Sequence, residues 1–342
     1  MEKSRRIPSI YSLPLIYGPA KSRRLGLSLG INPSPLTCSF NCVYCECGEK
    51  ALYIPAPEKA TLNIGWKTIL KPLSHALDIY DKLDAITFSG TGEPTLNNQL
   101  RTMIKNVKEL TNVPVVVFTN ASLIHRDDVK STLALADKVV AKLNASTQRV
   151  FLNINRPVDR NLSINKIVKS LAEFRRKWAS NLSIEVLLVD LLGAEGNSSI
   201  REIRGIAEAL RQIEPEDVQV HTIARFPLEN FVRAVSKKKL EEASMIFEET
   251  LGAGRVHIYY SNGLKYSIFR STLLNLLMEN DPKAYRKILT SSYKCPFTGQ
   301  QLNPMNFCYC SLCGSIFHMK AATLKVLENQ YMLLCPKCIK EG

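Results

Sequence analysis

Cys38-Ser39-Phe40-Asn41-Cys42-Val43-Tyr44-Cys45 sets three cysteines in a C-x3-C-x2-C run. Three thiolates this close converge on three irons of one cubane cluster and leave the fourth iron without an obligatory protein ligand. An open iron can chelate a substrate or cofactor. A zinc knuckle is the competing reading. It needs a fourth ligand, and the neighbours offer little: Cys47 is only two residues further on, which strains tetrahedral closure, and His75 is distant.

Outward from this run, short apolar stretches alternate with longer amphipathic ones. The pattern predicts strands over 25–31, 85–89, 115–119, 138–143, 183–189 and 218–222, with a seventh apolar alternation at Val256, Ile258 and Tyr260 before an Asn262-Gly263 turn. Between them, Ile164, Ile167, Val168, Leu171 and Phe174 fall on one helical face, as do Ile200, Ile203, Ala207, Leu210 and Ile213. Strand-helix repetition implies parallel pairing with right-handed crossovers. The expected fold class is therefore α/β, a partial (β/α)6 barrel. Residues 267–288 read as one or two helices with Asp281-Pro282 between them. Four segments follow: a basic N-terminal arm (1–23), the partial barrel (24–262), a helical connector (263–294) and a small C-terminal metal-binding module (295–342).

That module carries the second group of cysteines. Ten are present in 342 residues, four between Cys38 and Cys47, six between Cys295 and Cys338, and none in the long stretch between. Clusters with CxxC spacing in an enzyme-sized chain indicate metal binding in a reducing compartment rather than a disulfide scaffold, which places the protein in the cytoplasm. Cys310-Ser-Leu-Cys313 and Cys335-Pro-Lys-Cys338 form two CxxC knuckles, the pattern of a zinc ribbon or treble clef. Cys295, Cys308 and His318 are spare ligands for a second ion, and an auxiliary iron-sulfur cluster is the rival to zinc.

The longest apolar runs, 113–118 and 186–192, fall well short of the roughly 20 residues that span a bilayer, so no membrane helix is expected. Pro8 and Pro14 interrupt the start of the chain, which argues against a secretory signal. The formal net charge is +14, with an excess of five in residues 1–24 and again in 281–342. Such a surface attracts a polyanion through its phosphates, although solubility alone also accounts for a moderate excess.

The cysteine spacing, with the aromatic Tyr44 before the third cysteine, resembles the radical S-adenosylmethionine superfamily. The resemblance implies a [4Fe-4S] cluster on Cys38, Cys42 and Cys45, whose open iron binds the amino and carboxylate groups of S-adenosylmethionine. An electron from the cluster then cleaves the sulfonium to give a 5'-deoxyadenosyl radical that abstracts hydrogen from substrate. Gly90-Thr91-Gly92-Glu93-Pro94 matches the family's glycine-rich segment, with Glu93 as acceptor for the methionyl ammonium. Tyr44 would lie near adenine, while Asn120, Asn144 and Ser146 match ribose or carboxylate contacts. All stand at the ends of predicted strands, the face where parallel barrels build active sites.

Tyr17-Gly18-Pro19, Ser22-Arg23-Arg24-Leu25-Gly26, Asn155-Arg156-Pro157 and Arg225-Phe226-Pro227 further resemble the branch related to wyosine tRNA-modifying synthases. The implied substrate is an RNA base, with tRNA the candidate, and the implied partner a reductant such as a flavodoxin or ferredoxin. A peptide or small-metabolite substrate, and a non-catalytic RNA-binding or redox-sensing protein, are the alternatives. No second cluster set precedes Cys38, so pyruvate is not carried over from that branch. Arg156 and Arg225 are candidate anion clamps at the barrel mouth, and Cys47 is left over as a loop thiol.

Overall fold

The computed structural model describes residues 15–60, 64–178, 181–261, 263–327 and 330–340. The first fourteen residues of the expected arm, and Asn262 of the expected turn, lie outside them. In chain order the elements are β1 (Ile16–Ser22), β2 (Gly26–Ile31), β3 (Thr37–Cys38), β4 (Leu52–Tyr53), α1 (Trp66–Ile79), β5 (Ala85–Phe88), α2 (Leu100–Leu110), β6 (Val115–Thr119), α3 (Asp127–Leu133), β7 (Lys138–Lys142), α4 (Gln148–Asn155), α5 (Ile164–Lys177), β8 (Leu182–Leu191), α6 (Ile200–Ile213), β9 (Asp217–Thr222), β10 (Val232–Ala234), α7 (Lys237–Leu251) and β11 (Val256–Tyr259). After these come α8 (Ile268–Asn280), α9 (Pro282–Leu289), β12 (Tyr293–Lys294), β13 (Gln301–Leu302), β14 (Phe307–Tyr309), β15 (Ile316–His318), β16 (Thr323–Leu327), β17 (Gln330–Leu334) and α10 (Pro336–Lys340).

The main sheet runs β1-β2-β5-β6-β7-β8-β9-β11, with β10 paired to β8. From β2 to β11 each pairing is parallel, and each strand lies beside the one that precedes it in this series. Such an order never reverses, so the helices stack on one face and the sheet curls into a partial α/β barrel. All seven predicted strands are present. Two strands of this sheet were not foreseen. The antiparallel β1 occupies part of the stretch assigned to the arm, where its Tyr17, Gly18 and Pro19 break any apolar alternation. The three-residue β10 is too short to show a period.

Alternation along the strands separates two environments. Ile86, Phe88, Val115, Val117, Val139, Ala141, Ile184, Val186, Val218 and Val220 join the main apolar core, against the helices. Each of these side chains but that of Ala141 contributes about 1.5–3 kcal/mol by leaving water. Every second residue instead faces the other way, and Phe118, Lys142, Glu185, Leu187 and His221 line a cavity. Five helices, α4 to α8, begin on conventional caps: Thr147, Ser163, Ser199, Ser236 and Ser267 each accept from the backbone N–H three residues on. Asp281 caps α9 ahead of Pro282. Among the described residues, no helix is long and apolar enough to cross a membrane.

In the C-terminal module, three two-stranded ribbons carry the cysteines. The first knuckle turns at Gly314, whose φ of 70° is in the left-handed region, and its N–H donates to the Cys310 carbonyl at 2.9 Å. The second begins α10, with Pro336 directly after Cys335.

Candidate functional site

The cysteine run is a loop that leaves β3 and is held on its far side by residues 154–158. Val43 N–H donates to the Ile154 carbonyl at 3.0 Å, Asn41 N–H to that of Arg156 at 3.1 Å, and Val158 N–H to that of Ser39 at 2.9 Å. The Asn155-Arg156-Pro157 motif is thus a backbone rail for the cysteine loop. Arg156 itself does not line the cavity. It ends α4 at a φ of 46° and pairs with Glu229, so it is a brace rather than an anion clamp. Arg225 does line the cavity.

Each cysteine of the run has a donor at its sulfur. Asn120 Nδ2 lies 3.7 Å from Cys38 Sγ, Asn155 Nδ2 lies 3.6 Å from Cys42 Sγ, and Lys50 Nζ lies 2.9 Å from Cys45 Sγ. Burial pushes the Cys38 thiol up to about 12 and raises Cys42, so burial opposes the thiolate form of both. A hydrogen bond from Cys47 and the Lys50 ammonium hold Cys45 well below its usual range, against burial. Donors to sulfur favour the charged, ligating form, and the three residues fit an iron-sulfur cluster on chemical grounds.

Opposite the cysteines stands the glycine-rich turn after β5. Gly92 carries no side chain because there is no room for one: a Cβ would lie 1.8 Å from the Ser34 carbonyl oxygen and 2.3 Å from that of Thr37. Both are backbone atoms of the segment leading into the cysteine loop, so Gly92→Ala must push that segment away. We expect it to cost about 1–3 kcal/mol and to lower iron incorporation on reconstitution. Iron content matching the unmodified protein at an unchanged melting temperature would contradict this.

Glu93, 3% exposed, accepts from Thr95 N–H, Thr95 Oγ1, Thr119 Oγ1 and Asn120 N–H at 2.6–3.2 Å. Three of the four bonds fall on Oε1, which leaves Oε2, with only Asn120 on it, free to accept one more. The expected ammonium acceptor is also a latch joining the ends of β5 and β6. Burial raises its pKa while these donors pull it down.

A cavity of about 540 Å³ brings together Cys38, Cys42, Tyr44, Cys45, Gly90, Thr91, Gly92, Glu93 and Asn120, all at the C-terminal ends of the parallel strands. The volume suits a drug-sized ligand, for which roughly 300–1,000 Å³ is usual. Two predicted contacts are not in its wall. Ser146 is turned away: its N–H and Oγ both bond Glu202 on α6, at 2.8 and 3.0 Å. Asn144 acts through another residue, donating to the Tyr44 hydroxyl at 2.7 Å while accepting from Leu187 N–H.

Sequence reasoning missed a charged group deeper in the cavity. Glu185 on β8, 2% exposed, lies 3.2 Å from Arg24, 3.4 Å from Lys142 and 2.8 Å from His221 Nε2. Burial alone would raise its pKa, but the surrounding Lys142, Arg24 and His221 hold it well below the carboxylate range. Charged residues at alternate positions of otherwise apolar strands, as in Lys138-Val-Val-Ala-Lys142, were the available signal.

The sulfur atoms of Cys310, Cys313, Cys335 and Cys338 all lie within 4.8 Å of one another, and the Cys313–Cys335 separation is 3.7 Å. Tetrahedral coordination at about 2.3 Å per bond places sulfurs about 3.8 Å apart, so the set suits one ion, whereas a cubane binds each thiolate on a different iron. The spare ligands do not join it. Cys295 Sγ accepts from His318 N–H at 3.3 Å, and Cys308 Sγ is directed to the Phe317 carbonyl at 3.6 Å. The His318 ring lies 3.5 Å from Glu49 and so faces a carboxylate, not a thiol set.

No family model matches the chain. The structure is similar to that of Streptococcus suis SuiB bound to precursor peptide SuiA, with a TM-score of 0.51, 14% identity, and coverage of 73% of this chain and 51% of that one. The likeness shows a shared fold, the partial α/β barrel expected from the alternation of strands and helices. The protein named GTPase Obg of Brachyspira hyodysenteriae is 34% identical over 236 residues, 68% of this chain. The chain spans about a third of that relative's length (33%), and it contains no G-x-x-x-x-G-K-[ST] phosphate loop. A UPF0026 protein of Helicobacter pylori (strain J99) is 32% identical over 241 residues, which cover 69% of this chain and 75% of that protein. With matching identity running through most of both sequences, the chain belongs to the UPF0026 family.

Proposed function

We propose that this protein is a radical S-adenosylmethionine enzyme acting on an RNA base, with tRNA the candidate substrate, fed electrons by a flavodoxin or ferredoxin in the cytoplasm. One observation carries the reading: Cys38, Cys42 and Cys45 share a cavity with Glu93 at the C-terminal ends of the strands, each sulfur facing a hydrogen-bond donor. When bound, a [4Fe-4S] cluster with S-adenosylmethionine supplies a reductively generated carbon radical. The chain's own residues hold and shield. Glu93 Oε2 accepts one further donor, such as an ammonium. Tyr44, fixed by Asn144 and Asn155 at 2.7 and 2.8 Å, forms a rigid wall beside Cys42.

The RNA part of the reading rests on charge. Lys21, Arg23, Arg24, Lys50, Lys142 and Arg225 line the cavity against Glu46, Glu93 and Glu185, a net positive lining that favours phosphate. The branch related to wyosine synthases is the corresponding finer assignment. RNA affinity is expected to fall at least about tenfold between 50 and 200 mM salt. A salt-independent affinity in filter binding would turn the reading toward a peptide or small metabolite. The C-terminal thiolate set takes one zinc ion in this reading.

The test is anaerobic reconstitution with iron and sulfide, then reductant and S-adenosylmethionine, assaying 5'-deoxyadenosine beside a Cys42→Ala control. Product that vanishes in the control supports the enzyme. An intact, cofactor-accessible cluster that makes none overturns it in favour of a binding or sensing protein.

A further inference from the structure

Arg270, on the first turn of α8, is 0% exposed and pairs with no carboxylate among the described residues. Its Nε donates to the Cys47 carbonyl at 2.9 Å and its Nη1 to the Phe307 carbonyl at 2.8 Å, while Nη2 is buried without a partner. A buried cation with no paired carboxylate costs several kcal/mol, which its hydrogen bonds to the two carbonyls must offset. Burial lowers its pKa to about 10, offset in part by the Cys308, Cys47 and Cys45 sulfurs and the Glu49 carboxylate.

The two carbonyls belong to different parts of the molecule. Cys47 lies two residues past the last cysteine of the cluster run, and Phe307 opens β14, which leads into the first thiolate knuckle. Further ties run in parallel. Glu49 N–H donates to the Met305 carbonyl at 3.0 Å, and the buried Glu49 carboxylate pairs with Lys320 at 3.0 Å. Gly48 passes so close that a Cβ would lie 2.2 Å from the Met305 carbonyl oxygen and 2.5 Å from Arg270 Nη2. Lys50 closes the loop, bonding the Gly48 carbonyl and Cys45 Sγ, each at 2.9 Å. On the module side, Ser311 N–H donates to the Leu333 carbonyl at 2.7 Å and Leu333 N–H to Ser311 Oγ at 3.0 Å. These bonds tie the two knuckles together, and Leu333 and Tyr309 reach the cavity wall.

We propose that the C-terminal module is a metal-dependent clamp on the cluster loop: an ion held by Cys310, Cys313, Cys335 and Cys338 fixes β14 and β17, and Arg270 transmits that order to residues 45–50. Arg270 is a positioning residue. The module's ribbons are short, with their buried Phe307, Phe317 and Leu333 continuous with the main core, and a thiolate-bound ion adds folding energy to them. Losing the ion loosens β14 downstream of Phe307, and with it the second of Arg270's two anchors. Occupancy of the far site thereby sets how firmly Cys45 holds its ligand in the near one. The inference rests on the cluster assignment to Cys38, Cys42 and Cys45.

The test uses the full chain reconstituted anaerobically with iron and sulfide after zinc loading. Zinc and iron contents are measured, with the rate at which air bleaches the cluster's visible absorption and the EPR change on adding S-adenosylmethionine to the reduced protein. Cys338→Ser is expected to lose zinc and bleach roughly tenfold faster or more, on the scale by which outer-shell partners govern metal affinity. Arg270→Gln is expected to keep its zinc yet bleach faster by a similar factor with an altered EPR response, and Arg270→Lys, which keeps the charge and one bond, to fall between. Arg270→Gln with full zinc and unmodified bleaching and EPR overturns the clamp even if Cys338→Ser does not fold. A wild-type chain that takes up no cluster overturns the functional reading on which the clamp depends.

Discussion

Replacing Glu93 by alanine is expected to destabilise the protein by at least about 4 kcal/mol. Four buried donors, Thr95 N–H, Thr95 Oγ1, Thr119 Oγ1 and Asn120 N–H, would lose their acceptor together, at about 1–3 kcal/mol for each left unsatisfied. Against a typical total of about 5–15 kcal/mol, the loss is a large fraction of the fold's stability. Glu93→Gln is a graded control. Its amide oxygen can still serve the three donors on Oε1, but its NH2 would face Asn120 N–H, so it should cost only about 1–3 kcal/mol. Urea unfolding of the three proteins reads the order directly. An alanine variant within about 1 kcal/mol of the parent would mean that the turn relaxes and rehydrates, and that Glu93 is not a latch.

Glu185→Gln is the second large effect, at about 1.5–3 kcal/mol at neutral pH, because it leaves the partly exposed Arg24 and Lys142 facing one cavity without their shared anion. Its pH dependence follows from the sign of the shift. The folded carboxyl is held well below the ordinary value of 4.5. The unfolded chain therefore binds this proton first as pH falls, and the contribution of Glu185 is fully present above that unfolded value. It declines below it and vanishes only as pH drops through the depressed folded value. The stability gap between parent and variant should thus stay constant from neutrality to about pH 5. A gap that closes above pH 5, or a variant as stable as the parent, would contradict the network.

The parallel strands were legible in the chain because a strand's signal is local. Val115 to Thr119 is a short apolar run bounded by Pro114 and Asn120, and its neighbours repeat the pattern at helical intervals. Strand β1 was not legible, since Tyr17, Gly18 and Pro19 interrupt any apolar alternation, and its partner β2 supplies the order that the segment itself lacks. The cysteine run and the glycine-rich turn were both recognised, but the reason for Gly92 is a close approach of the Ser34 and Thr37 carbonyls, more than fifty residues upstream.

Spacing along the chain established the chemistry on offer: three thiolates with a vacant fourth position, four more in two knuckles, and alternating strands and helices to carry them. Those facts depend on neighbours within a few residues, where covalent geometry and periodicity dominate. Which groups meet depended on the curl of the sheet. It brought Arg24, Lys142, Glu185 and His221 from four stretches of chain into one cavity wall, turned Ser146 toward Glu202, and set Arg270 between the Cys47 and Phe307 carbonyls. Packing of this kind sums many weak contacts between residues remote in sequence, so no local pattern carries it.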